Sequence, residues 1–146
     1  MKRLVTYSMP RSFFGMNIPI PIQSAYLRDY ASRNNLAFSL PVTEVCFGGS
    51  FYALSNIFRA MVEGEHFGAV SLLTLPLDNE PVFFELLSLT SKKHIYFHFP
   101  LEGFYGDLKT VISWREDFIT LRSLSVPIDG KLDRNLGIQK KEEPVT

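Results

Sequence analysis

Phe67-Gly68-Ala69-Val70-Ser71-Leu72-Leu73, FGAVSLL, is apolar at consecutive positions rather than alternate ones. That is the pattern of a strand covered on both faces, at the centre of a parallel sheet. Further ribbons lie on either side of it in the chain. Arg3–Tyr7 reads as a first strand, LAFSLPV (36–42) as a second and HIYFHF (94–99) as a fourth. The segments between them carry helical spacing. In IQSAYLRDYASRNN (22–35), Tyr26, Leu27, Tyr30 and Ala31 share one side. From Phe51 to Glu63, Leu54, Ile57, Phe58 and Met61 follow the i, i+3, i+4, i+7 rule and Gly64 supplies the stop. A third helix starts near Pro81 and runs to about Ser91. Asp107 can cap a fourth, LKTVISWREDFITLRSL (108–124).

The order β-α-β-α-β-α-β-α predicts an α/β fold: a parallel sheet with helices on both faces. The expected strand order is 2-1-3-4, flavodoxin-like. Ligands in such sheets bind beyond the carboxyl ends of the strands, where the order reverses. This directs attention to loops 8–21 and 74–80, flanked by 43–50 and 100–106.

A chain of 146 residues with 46% apolar residues can bury a core, and thirteen phenylalanines make that core aromatic. The expected organisation is one α/β domain over 1–125 and a polar, flexible tail over 126–146. Lys+Arg and Asp+Glu are 15 each, so no basic surplus favours nucleic acid, and a nucleic-acid partner is not expected. Cys46 is a single cysteine, which excludes an internal disulfide and suits a reducing compartment. No apolar run reaches the ~20 residues of a membrane span. The expectation is a cytoplasmic protein without a membrane partner.

The loops hold the candidate site. Ser8, Arg11 and Ser12 follow strand one, where a guanidinium can hold a phosphate or carboxylate at two points; the alternative is a loop arginine paired within the fold. Neither serine has a histidine near in sequence to act as its base. Gln23 can aim its amide at a ligand or cap a turn. Glu44 and Glu102, each just past a strand end, are the candidate acid/base residues. In a 2-1-3-4 sheet they stand on opposite edges, so the alternative is two separate carboxylates capping backbone donors. Cys46 beside Gly48-Gly49 can be a thiolate or a small buried side chain. His66, His94 and His98 lack metal-ligand spacing, so no metal and no cofactor is expected; His98 is expected to hydrogen-bond inside the fold. Trp114 and Phe118, with Phe104 and Tyr105 before them, suggest a homo-oligomer through helix four.

Two resemblances follow from these segments. A strand ending at Tyr7, a polar loop and IPIQSAYLRDYASRNNLAF look like the front of the serine recombinase (resolvase) catalytic domain, with Gln23, Tyr30, Ala31 and Asn34 matching. The catalytic residues do not match. Met9 stands where that family has arginine, Arg11 where it has the nucleophilic serine, and PLDNEPV keeps Asp78 without the family's two arginines. The chain more closely resembles the small sporadic carbohydrate cluster proteins. The resemblance rests on Arg11, Phe13 and Gly15; Pro19 and Gln23; Arg28-Asp29-Tyr30; Thr43-Glu44; Leu75-Pro76; and Glu102-Gly103. It implies a resolvase-like fold and a role in bacterial surface-carbohydrate biosynthesis. Three functions are expected to compete. One is a cofactor-free proton-transfer enzyme on a small anionic sugar-like metabolite. The second is a non-catalytic binding or assembly subunit of a carbohydrate pathway. The third is a DNA-associated, inactive recombinase-like protein.

Overall fold

The computed structural model describes residues 1–45 and 48–138, with side chains as far as residue 124. The elements are β1 (Lys2–Ser8), α1 (Ile20–Arg33), β2 (Leu36–Phe38), β3 (Val42–Thr43), α2 (Tyr52–Ala60), β4 (His66–Ala69), α3 (Glu80–Ser88), β5 (Tyr96–Phe99), β6 (Phe104–Gly106) and α4 (Leu108–Ile138). The sheet runs β2-β1-β4-β5-β6, and β3 also pairs with β1. Every pairing among β1 to β5 is parallel; β6 alone runs antiparallel, against β5.

Two features depart from the expected four ribbons. The second strand is broken, because Pro41 has no N–H to give the ladder. Side chains stand in at the break: the Ser39 hydroxyl donates to the Leu4 carbonyl at 3.1 Å, and Thr6 donates to the Ser39 carbonyl at 2.7 Å. The loop 100–106 is itself partly strand. Gly103 takes a left-handed φ of 67°, which turns the chain back so that Phe104–Gly106 can pair with β5. Helix α1 begins two residues earlier than its spacing suggests, since Pro21 costs no hydrogen bond in a first turn.

The two sheet faces differ in chemistry. Phe67, Phe97 and Phe99 point to one face, where Phe58 of α2 meets Phe67 edge-on with ring centroids 5.0 Å apart. This buried aromatic cluster is the core, and α3 packs beside α2. The other face carries Leu4, Thr6, His66, Gly68, Tyr96 and His98, in register. Helix α1 covers it over β2 and β1 with Leu27 and Ala31. A side chain at Gly68 would press on Leu4, whose Cδ1 lies 3.1 Å from a built Cβ, so glycine lets β1 and β4 close up.

The chain divides into two units, 1–112 and 113–146. The first holds the whole sheet. The second continues α4 as far as Ile138, past the position where the sequence turns polar. The segment 139–146 of the expected tail lies outside the described residues. No described helix is long and apolar enough to cross a membrane.

Candidate functional site

At the carboxyl edge of the sheet Glu44, Gln23, Arg11, Ser8 and Glu102 make hydrogen bonds within the fold. Glu44 is 2% exposed. Its Oε1 accepts from the Tyr7 hydroxyl at 2.8 Å and the Leu54 amide at 3.1 Å; its Oε2 accepts from the amides of Val45 at 3.0 Å and Ala53 at 2.9 Å. Ala53 and Leu54 are first-turn amides of α2, so the carboxylate caps that helix. Burial and the neighbouring carboxylate push the Tyr7 hydroxyl far above its ordinary range, which keeps it a donor.

Gln23 is fully buried and spends its amide on the opening loop. Its Oε1 accepts from the Met9 amide, and its Nε2 donates to the carbonyls of Met9 and Ile18, both at 2.7 Å. Arg11 donates to the carbonyls of Val45 and Ser50 and lies 5.2 Å from the Phe51 ring centroid, closing the loop before α2. Ser8 is buried, with its hydroxyl 3.2 Å from that of Thr43; Ser12 is exposed. Glu102 accepts from Ser71 Oγ at 2.5 Å and the Leu72 amide at 2.8 Å, fixing the 3-10 turn Leu72–Thr74. Glu44 follows β3 and Glu102 follows β5, and each carboxylate has its own separate set of partners. Both carboxylates and Gln23 bond to backbone groups of the loops around them. Cys46 lies outside the described residues.

The opposite, amino end of the strands holds a set that sequence spacing did not bring together. His66 opens β4, His98 is the third residue of β5 and Tyr30 sits in the penultimate turn of α1. His66 Nδ1 is 2.8 Å from His98 Nε2, and His98 Nδ1 is 2.6 Å from the Tyr30 hydroxyl. The two imidazoles are stacked, with centroids 5.0 Å apart. Tyr105 of β6 lies 4.6 Å from His98, and Tyr96 stacks on His66 at 5.0 Å. Tyr30, Asn34, Leu36, His66, His98 and Tyr105 enclose a cavity of about 220 Å³. Tyr105 is 57% exposed and Tyr96 40%, so the rings present an aromatic shelf to solvent.

The electrostatics keep this set uncharged at neutral pH. Burial, with the nearby His66 as a smaller cause, lowers His98 to about 4. Burial, followed by the charge of Lys2, lowers His66. Burial, followed by Tyr105, raises the Tyr30 hydroxyl. Each neutral imidazole then has one N–H and one bare nitrogen. Among the described residues no three His, Cys, Asp or Glu gather as metal ligands.

Two larger hollows accompany this cavity. One, about 480 Å³, is lined mostly by apolar side chains between β1, β3 and α2. The other, about 380 Å³, is edged by Asp107, whose carboxylate is held by the Thr110 amide and hydroxyl. Neither holds a linked polar set like Tyr30–His98–His66.

The signal for the histidine set was present as alternation. In HFGA and YFHF the phenylalanines occupy every second position, and His66, Gly68, Tyr96 and His98 fill the others. That period places them on one face and the phenylalanines on the other. A reading of these strands as uniformly apolar passes over it.

A scan against protein-family models and a search of curated proteins give no match to this chain.

Proposed function

We propose that the protein binds a small anionic sugar-like metabolite at the amino end of its sheet and moves a proton on it without a cofactor, within surface-carbohydrate biosynthesis. One observation carries the reading. A chain of three hydrogen-bonded, uncharged side chains opens into a small cavity edged by the exposed ring of Tyr105. Sugar rings present apolar C–H faces that lie against aromatic rings, while their hydroxyls need placed donors and acceptors. Tyr105 supplies the first; Tyr30, Asn34 and the histidines supply the second. The charge of Lys2 reaches His66, so the field on this face favours an anionic ligand.

A resolvase-like ancestry is part of this reading and rests on the motif resemblance. The shared ground with that reading is a mostly parallel α/β sheet, whose order is β2-β1-β4-β5-β6 with β3 on β1 and β6 antiparallel. The role in carbohydrate biosynthesis rests on the motif resemblance above, and with it we propose a homo-oligomer through α4. The balanced charge speaks against the DNA-associated alternative.

The test is equilibrium dialysis of the full chain against pooled nucleotide sugars and sugar phosphates, read by mass spectrometry. The expected result is retention of a phosphorylated sugar, lost in Tyr105→Ala and kept in Arg11→Ala. Retention lost in Arg11→Ala and kept in Tyr105→Ala would return the site to the carboxyl edge.

A further inference from the structure

We infer that the hollow of about 380 Å³ beside the histidine cavity is a second sugar subsite, and that the ligand is a phosphorylated disaccharide. This rests on the ligand reading above and names its substrate class. The two spaces are neighbours. His66 and Tyr105 line the cavity, and Tyr96 lines the hollow. The Tyr96 ring stacks on His66 with centroids 5.0 Å apart and lies 6.1 Å from Tyr105. Strand register sets all three on one face of the sheet, His66 opposite Tyr96 and Tyr105 opposite His98. One aromatic ring therefore stands between the two spaces.

The lining of the hollow is rich in acceptors. Thr90 gives its hydroxyl proton to the Leu87 carbonyl, and Ser91 gives its own to that of Ser88. Each hydroxyl then offers a ligand an oxygen that accepts. Asp107 Oδ1 accepts from the Thr110 amide at 3.0 Å and the Thr110 hydroxyl at 2.8 Å. Those bonds hold the carboxyl below its usual range, so it is ionised at neutral pH. Its Oδ2 keeps lone pairs for a ligand. Lys109 adds one ammonium, and His94 Nδ1 lies 4.0 Å from Glu63.

This chemistry selects among ligands. An ionised pyrophosphate only accepts hydrogen bonds; Asp107 repels it, and Thr90 and Ser91 have already given their protons. A sugar hydroxyl both donates and accepts. It can donate to Asp107, Thr90 or Ser91 and accept from Lys109, and bonds to the two ions are the strong ones. Tyr96, 40% exposed, gives an apolar C–H face a ring to lie against. The hollow therefore suits an uncharged sugar ring better than the nucleotide of a nucleotide sugar. The phosphate belongs to the other ring. Lys2 is on β1, and β4 with His66 lies between it and Tyr96 of β5, so the positive field is on the cavity side.

The test is isothermal titration calorimetry of the full chain with glucose 6-phosphate, trehalose 6-phosphate, sucrose 6-phosphate and UDP-glucose. At least one disaccharide phosphate should bind ~10-fold tighter than glucose 6-phosphate, the usual worth of one hydrogen bond to a charged group. UDP-glucose should show no such gain. Asp107→Asn keeps a helix-capping side chain and should remove the gain without weakening glucose 6-phosphate. Tyr96→Val, a second variant, should do the same. Disaccharide phosphates no tighter than glucose 6-phosphate, or a gain that survives both variants, would overturn the second subsite and leave the cavity reading standing. UDP-glucose as the tightest ligand, weakened by Lys109→Ala, would give the hollow to a nucleotide and overturn the disaccharide. No binding of any of the four overturns both readings.

Discussion

The two ends of the sheet use polar side chains in opposite ways. At the carboxyl edge, Glu44, Gln23 and Glu102 point inward and bond to backbone amides, carbonyls or neighbouring hydroxyls. At the amino end, Tyr30, His98 and His66 bond to one another and border a cavity. A group engaged by backbone donors holds a loop in place; a group engaged by another titratable group has a proton to pass on. The difference teaches that placement at a strand's carboxyl end makes a residue available to a ligand only if its bonding capacity is not already taken.

The largest effect that tests this contrast is removal of Glu44. Glu44→Ala leaves the Tyr7 hydroxyl and three amides without their acceptor, two of them at the start of α2. Urea unfolding should show a loss of about 3–5 kcal/mol. A loss below about 1 kcal/mol would mean that Glu44 is not needed by the fold and is free for another use. Next comes Gln23→Ala, which strands buried groups of Met9 and Ile18 and should cost about 2–3 kcal/mol.

Acidification probes the other end. His98 is lowered from an ordinary 6.5 to about 4, so between these values the unfolded chain binds more protons than the folded one. Stability is therefore complete above about pH 6.5 and falls as pH drops toward 4, levelling below it, with a total contribution of about 1–3 kcal/mol. His98→Gln should flatten that part of the curve; an unchanged slope would place the acid sensitivity elsewhere. The smallest stability effect is expected at the shelf. Tyr105→Ala, at an exposed position on an edge strand, should change stability by under about 1 kcal/mol while removing ligand binding.

These expectations also mark how far the sequence could be read. The cores of the ribbons expected at 67–73 and 94–99, which are strands only over His66–Ala69 and Tyr96–Phe99, and the helical stripe of Leu54, Ile57 and Phe58 were legible, because burial on a fixed face leaves a periodic trace. Strand β6 left almost none: three residues after a turn are too short for a period, and Gly103 supplies the only cue. The site was harder. Nothing in the neighbourhood of Glu44 announces that Ala53 and Leu54 will fold back onto it, since that pairing is made by the path of loop 43–50. The partners of Tyr30 lie 36 and 68 positions away, and the parallel register of β4 and β5 sets His98 opposite Gly68, on the same face as His66 and diagonal to it. Capping was nevertheless open as a reading for the carboxylates, because isolated acids near helix starts find amide donors.

The central claim is that the working pocket lies at the amino end of the parallel strands. Heteronuclear NMR titration of the full chain with glucose 6-phosphate tests it most directly. The account predicts shift changes centred on Tyr30, Asn34, His66, His98 and Tyr105, with Arg11, Ser12 and Ser71 undisturbed. Changes gathered at Arg11, Ser12 and Ser71, with both histidine rings silent, would contradict it.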